Sequence, residues 1–147
     1  MIIREKYLKE IRPFYESDLV KIISGIRRSG KTIILKTIYN EISTKTKNTI
    51  FLNFEDANDL KKAGSVELLL DYVKNNKQEG KCYIFLDEVQ NIENWALAVR
   101  TLRLNNNSVF ISGSNSKLLS TEFATELSGR YVSFRIRPFI YKEILEY

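Results

Sequence analysis

A chain of 147 residues, 44% hydrophobic and 28% charged, has room for one globular domain with a single sizeable core. It contains no histidine and one cysteine, Cys82. That excludes Ser-His and Cys-His nucleophilic machinery, histidine-ligated zinc and an intramolecular disulfide, and it fits a reducing cytoplasm. The net charge of +5 is uneven: residues 1–50 carry 11 basic and 5 acidic groups (+6), residues 51–100 carry 6 and 9 (−3), and residues 101–147 carry 6 and 4 (+2). Several of the early cations crowd one glycine-bounded loop and the other lysines are scattered, so solvated surface explains them better than a nucleic-acid stripe. No run approaches a membrane span, and Met1-Ile2-Ile3-Arg4-Glu5-Lys6 lacks the apolar stretch of a signal peptide.

In chain order, residues 4–11 read as a short helix closed by Pro13, because the residue before a proline is pushed out of helical geometry. A buried strand over 19–23 follows. Ile34, Leu35, Ile38 and Ile42 then recur at the spacing of an amphipathic helix. A second strand covers 49–54, and Ser65 N-caps a helix whose apolar face is Val66, Leu69, Leu70 and Val73. The apolar run 81–86 predicts a strand covered on both faces. Ile92, Trp95, Val99 and Leu102 mark a further helix, with Trp95 as a packing residue. A turn at Asn105-Asn106-Asn107 leads to a strand at 109–111. A polar loop and short helix, a fifth strand over 131–135 and the start of a helix after Pro138 complete the reading. Alternating strands and helices predict an α/β fold, a three-layer sandwich on a mostly parallel five-stranded sheet. Ligands of such sheets bind at the carboxyl ends of strands.

The residues at those ends carry the chemistry. Gly25-Ile26-Arg27-Arg28-Ser29-Gly30-Lys31-Thr32 matches G-x-x-x-x-G-K-[ST] between a strand and a helix, the context that makes this pattern a phosphate loop. Its backbone N–H groups and the helix N-terminus would cradle a polyphosphate across residues 25–33, as far as Ile33. Lys31 would reach the β- and γ-phosphates, and Thr32 would ligate Mg²⁺. Asp87-Glu88 ends the third strand: Asp87 suits the metal and Glu88 suits activation of water, unless the pair merely caps a helix. Ser112-Gly113-Ser114-Asn115 ends the fourth strand, where Asn115, with Ser114 second, is a candidate γ-phosphate sensor or a plain turn residue. Arg130, opening the fifth strand, is a candidate transition-state cation acting in cis or in trans, or a surface arginine. Glu55-Asp56 either assists metal or water or caps the next turn.

With these residues in hand, the chain resembles the AAA+-like ATPases of archaea and bacteria. The resemblance rests on a phosphate loop of the form G-x-R-R-x-G-K-[ST], on the hydrophobic strand ending in Asp87-Glu88, on Ile111-Ser112-Gly113-Ser114-Asn115 and on Leu127-Ser128-Gly129-Arg130. It implies an ATPase with Lys31 and Thr32 on phosphate and Mg²⁺, Asp87 on metal, Glu88 as base, Asn115 as sensor and Arg130 as a further catalytic candidate. Family members generally carry additional C-terminal domains, so residues 1–147 are expected to be a single ATPase core, either a fragment of a longer architecture or a truncated member. The expected partners are ATP, further copies of the chain in a homo-oligomer, and a nucleic-acid or protein client, with no membrane. Two alternatives stand beside hydrolysis: an ATP-binding module with little turnover, and a nucleotide or small-molecule kinase. No Asn-Lys-x-Asp element for reading guanine occurs.

Overall fold

The computed structural model describes residues 5–26, 29–114, 118 and 125–138. Five strands form one sheet: β1 (Val20–Ser24), β2 (Thr49–Asn53), β3 (Cys82–Asp87), β4 (Asn107–Gly113) and β5 (Tyr131–Arg135), in the order β2-β3-β4-β1-β5. Every neighbouring pair is parallel. The helices are α1 (Glu5–Ile11), α2 (Lys31–Ser43), α3 (Ala57–Ala63), α4 (Val66–Asn76) and α5 (Trp95–Leu104).

Side chains alternate across the strands, and each face has its own core. On one face Val20, Ile22, Ile84, Leu86, Val109 and Ile111 pack with Leu69 and Val73 of α4 and Ala98, Val99 and Leu102 of α5. On the other, Ile23, Phe85, Phe110 and Phe134 pack with Leu8 and Ile11 of α1 and with Ile34, Leu35, Ile38 and Ile42 of α2. The rings of Phe85 and Phe110 stack with centroids 4.6 Å apart, and Tyr39 of α2 meets Phe85 edge-on at 5.4 Å. The predicted three-layer α/β sandwich is the observed one.

Several local expectations are refined. Asp56 caps α3, a helix the sequence pattern did not reveal, by accepting hydrogen bonds from the N–H groups of Asn58 and Asp59. This is the capping role weighed for Glu55-Asp56. Ser65 caps α4 as expected, accepting from the Leu68 N–H at 3.1 Å. The helix expected from Ile92 starts at Trp95, because Asn94 adopts a left-handed conformation just before it. β4 is longer than its apolar run: Asn107 already belongs to the strand and only Asn105-Asn106 turn, with Asn106 at φ 61°. Most of the short helix expected between β4 and β5, and all of the helix after Pro138, lie outside the described residues. Among the described residues no helix is long and apolar enough to cross a membrane.

Candidate nucleotide site

Parallel pairing brings the ends of β1, β3 and β4 side by side, which gathers residues separated by up to 88 positions at one edge. Gly25 leaves β1 with its N–H donating to the Gly113 carbonyl at 3.3 Å. A side chain there would collide with the Ser29 hydroxyl and the Ile136 carbonyl, its Cβ falling 2.6 and 2.7 Å from them, so the tight bend requires glycine. Gly30 sits at φ 93°, the left-handed region that glycine enters without strain, and α2 starts at the next residue. The first-turn amides of α2 therefore open toward the bend, a geometry suited to an anion.

Lys31 lies in the first turn of α2 and is only 4% exposed. Its ammonium is 2.9 Å from Glu88 Oε2, and both side chains are largely buried. Thr32 Oγ1 donates to Asp87 Oδ1 at 3.4 Å. Glu88 does not cap an α-helix. It takes a left-handed conformation (φ 54°, ψ 51°) and leads into a 3-10 turn, Val89–Asn91, without a side-chain cap bond. That conformation is uncommon for a residue with a Cβ and marks a position held by its surroundings.

Ser112 supplies part of that hold, and the sequence reading did not single it out. The β3–β4 register pairs Leu86 with Ile111, which sets Asp87 beside Ser112. The buried Ser112 hydroxyl donates to Asp87 Oδ1 and accepts from the Glu88 N–H at 2.9 Å. Burial pushes the Asp87 carboxyl above the usual carboxylate range. The Ser112 and Thr32 hydrogen bonds pull it back, the negative charge of Glu88 adds to the rise, and Lys31 opposes it. A hydroxyl in an otherwise apolar strand end, in register with an acidic pair, was the available signal.

The remaining predicted residues divide. Ile26 and Ile33 are exposed on either side of the bend. Ser29 is buried, and its N–H closes the turn on the Ile26 carbonyl at 3.2 Å. Ser114 stands at the end of β4, its carbonyl accepting from the Leu118 N–H. Arg27, Arg28 and Asn115 lie outside the described residues. Arg130 is not brought to the site: it is exposed, and its carbonyl accepts from the N–H of Val20, the first residue of β1. The loop begins five residues later, about 16 Å along the strand, at the opposite edge of the sheet.

The donor set fits a hard cation. Thr32 offers a hydroxyl and Asp87 a carboxylate oxygen 3.4 Å from it. This suits Mg²⁺, which takes few protein ligands and completes its octahedron with phosphate oxygens and water.

A family model described as an AAA domain matches residues 17–145. An uncharacterized protein of Haemophilus influenzae is 40% identical over 99% of this chain and 38% of its own length. One of Methanocaldococcus jannaschii is 37% identical over 87% of this chain and 28% of its own. The chain thus spans less than two fifths of the curated relatives it matches. Among solved structures, Aeropyrum pernix ORC1 in complex with DNA superposes with a TM-score of 0.65 at 12% identity, over 99% of this chain and 48% of that one. AMPPCP-bound DnaA from Aquifex aeolicus gives 0.63 at 20% identity, over 98% and 50%. These distant likenesses concern the fold alone, a parallel five-stranded sheet flanked by helices. With its phosphate loop, its Asp87-Glu88 pair and a family match across most of its length, the chain belongs to the AAA domain family, as an AAA+-like P-loop ATPase core.

Proposed function

We propose that this domain binds ATP with Mg²⁺ and hydrolyses it, and that turnover drives a macromolecular client. The observation that carries the reading is the meeting of Lys31, Thr32, Asp87 and Glu88 at one edge of the sheet. The loop amides and Lys31 hold the β- and γ-phosphates, while Thr32 and Asp87 hold the metal. Bound Mg²⁺ supplies charge neutralisation on the phosphate oxygens. Glu88 takes a proton from a water whose oxygen forms the new bond to the γ-phosphorus. The bond from that phosphorus to the β–γ bridging oxygen breaks, and the electron pair leaves with ADP. Lys31 is then shared between the phosphates and Glu88.

Two variants test this. Lys31→Ala abolishes MgATP binding in calorimetry, whereas Glu88→Gln keeps binding and slows hydrolysis by about 10²–10⁴-fold. A Glu88→Gln enzyme turning over at the parent rate removes the base assignment.

The place of Arg130 supports a second element of the reading. An arginine exposed at the far edge of the sheet serves a γ-phosphate only if that phosphate belongs to another copy, so we assign it a trans role in a homo-oligomer. The domain alone would then bind ATP with little turnover. Mixing Arg130→Ala with Glu88→Gln subunits restores activity if the roles lie on different copies, and leaves both dead if they do not. The client is a nucleic acid or a protein. We place the activity in the cytoplasm, a reducing compartment that a single free cysteine, Cys82, fits.

A further inference from the structure

Gln90 stands in the 3-10 turn after β3, and the chemistry above leaves it without a task. Its backbone is anchored. Val89 and Ile92 are buried on either side, the Asn91 N–H donates to the Glu88 carbonyl at 3.2 Å, and the Asn91 side-chain amide donates to the Phe54 carbonyl at 3.1 Å. From this fixed base the side chain folds back, and Nε2 donates to Glu88 Oε1 at 2.8 Å. The orientation of the amide is forced, because its oxygen has no hydrogen to offer a carboxylate. Oε1 is then turned toward the end of β4, where a Cβ on Gly113 would lie 2.3 Å from it. It is buried and has no hydrogen-bond partner among the described residues. A buried acceptor left unmatched costs about 1–3 kcal/mol, and folded proteins keep few of them. The amide is thus oriented by its donor, at the expense of its acceptor.

What the donor holds is a carboxylate under competition. Glu88 Oε2 is bound to the ammonium of Lys31, the group a polyphosphate in the loop also requires. Phosphate charge drawn toward Lys31 weakens the Lys31–Glu88 attraction and repels the carboxylate. We propose that Gln90 is a positioning residue, which keeps Glu88 directed at the phosphate loop while the triphosphate competes for Lys31. The inference rests on the assignment of Glu88 as the base. It requires little of nucleotide affinity and much of turnover, since misplacing a catalytic group by about 1 Å costs on the order of 10²-fold.

The test compares Gln90→Leu, which removes the amide, with Gln90→Glu, which keeps size and shape but sets a carboxylate against a carboxylate. Both are expected to bind MgATP within about twofold of the parent and to lose about 10- to 100-fold in kcat. In a Glu88→Gln background, Gln90→Leu slows the enzyme no further. Parent-like kcat in either folded variant overturns the proposal, as does full additivity with Glu88→Gln. Should Gln90→Leu fail to fold, the isosteric Gln90→Glu decides alone. A slow Glu88→Gln beside a parent-like Gln90 variant sinks this inference only, whereas a parent-like Glu88→Gln sinks the base assignment beneath it.

Discussion

The sheet buries a lysine at each end, and the two are kept in opposite ways. At the carboxyl edge Lys31 faces a carboxylate, Glu88, at 2.9 Å. At the amino edge Lys21, on β1, is fully buried among neutral partners: Nζ donates to the Ser17 carbonyl at 2.7 Å and to Ser108 Oγ at 2.8 Å, and lies 4.7 Å from the centre of the Phe110 ring. Burial brings the Lys21 ammonium down to about 7, helped by the nearby charge of Lys81 and opposed by Glu16 and Asp18. One amine keeps its charge balanced by a carboxylate. The other moves toward shedding its proton. The first arrangement is the one the proposed phosphate role of Lys31 requires, and the second makes Lys21 a structural post held by a carbonyl and a hydroxyl.

β4 repeats the contrast, with a buried serine near each end. Ser112 serves Asp87 and Glu88, while Ser108 accepts from Lys21 and donates to the Tyr15 carbonyl at 2.9 Å.

Removing the two amines should separate the ends most sharply. Lys31→Met removes the ammonium from its buried pair with Glu88 and is expected to destabilise the fold by about 3–5 kcal/mol in denaturant unfolding. Lys31→Met combined with Glu88→Gln should recover most of that loss. Lys21→Met removes an amine that has no carboxylate partner, and should cost far less at pH 7. A comparable loss at both positions would break the distinction.

The serines come next. Ser112→Ala strips a hydrogen bond from Asp87 and an acceptor from the Glu88 N–H, for about 1–3 kcal/mol of stability and a clear drop in MgATP turnover. Losing that bond raises the Asp87 pKa further, so metal-dependent activity should begin at higher pH. Ser108→Ala should cost a similar stability and leave turnover within about twofold. If both serines prove equally silent in turnover, Ser112 has no part in the site.

The pH dependence of stability gives a finer test. Lys21 has a folded pKa of about 7 against an ordinary value of 10.5, so between these limits the unfolded chain binds more protons. Stability therefore rises with pH across that window, by at most about 1.4 kcal/mol per unit, and the penalty is fully present below pH 7. Lys21→Met should flatten this part of a plot of Tm against pH. The smallest effect is expected at Asp56→Ala, about 1 kcal/mol for the lost cap of α3, with the site unaffected.

The layers and the site's edge could be read from the chain because their signals are local. An apolar run that stops at Asp87, or a glycine-bounded loop before an amphipathic helix, carries its meaning in adjacent residues. What escaped depends on register or on backbone conformation. Ser112 matters because pairing sets it beside Asp87. Gln90 matters because a left-handed Glu88 turns the chain so that the amide can fold back. α3 is a single short helix whose Ala57-Asn58-Asp59-Leu60 start has little apolar periodicity, and only the Asp56 cap announced it. The far position of Arg130 follows from topology: in a parallel sheet, whatever precedes a strand lies opposite whatever follows one.

The root of the phosphate loop is fastened to the segment leaving β5. The Ile136 N–H donates to the Ser24 carbonyl at 2.7 Å, the Ile136 carbonyl occupies the space a side chain on residue 25 would need, and the next N–H, that of Arg137, donates to the Tyr7 hydroxyl at 3.2 Å. The segment leaving β5 and the bend before α2 are therefore tied at one point, so a displacement of the backbone after Arg135 is felt at the proposed phosphate loop.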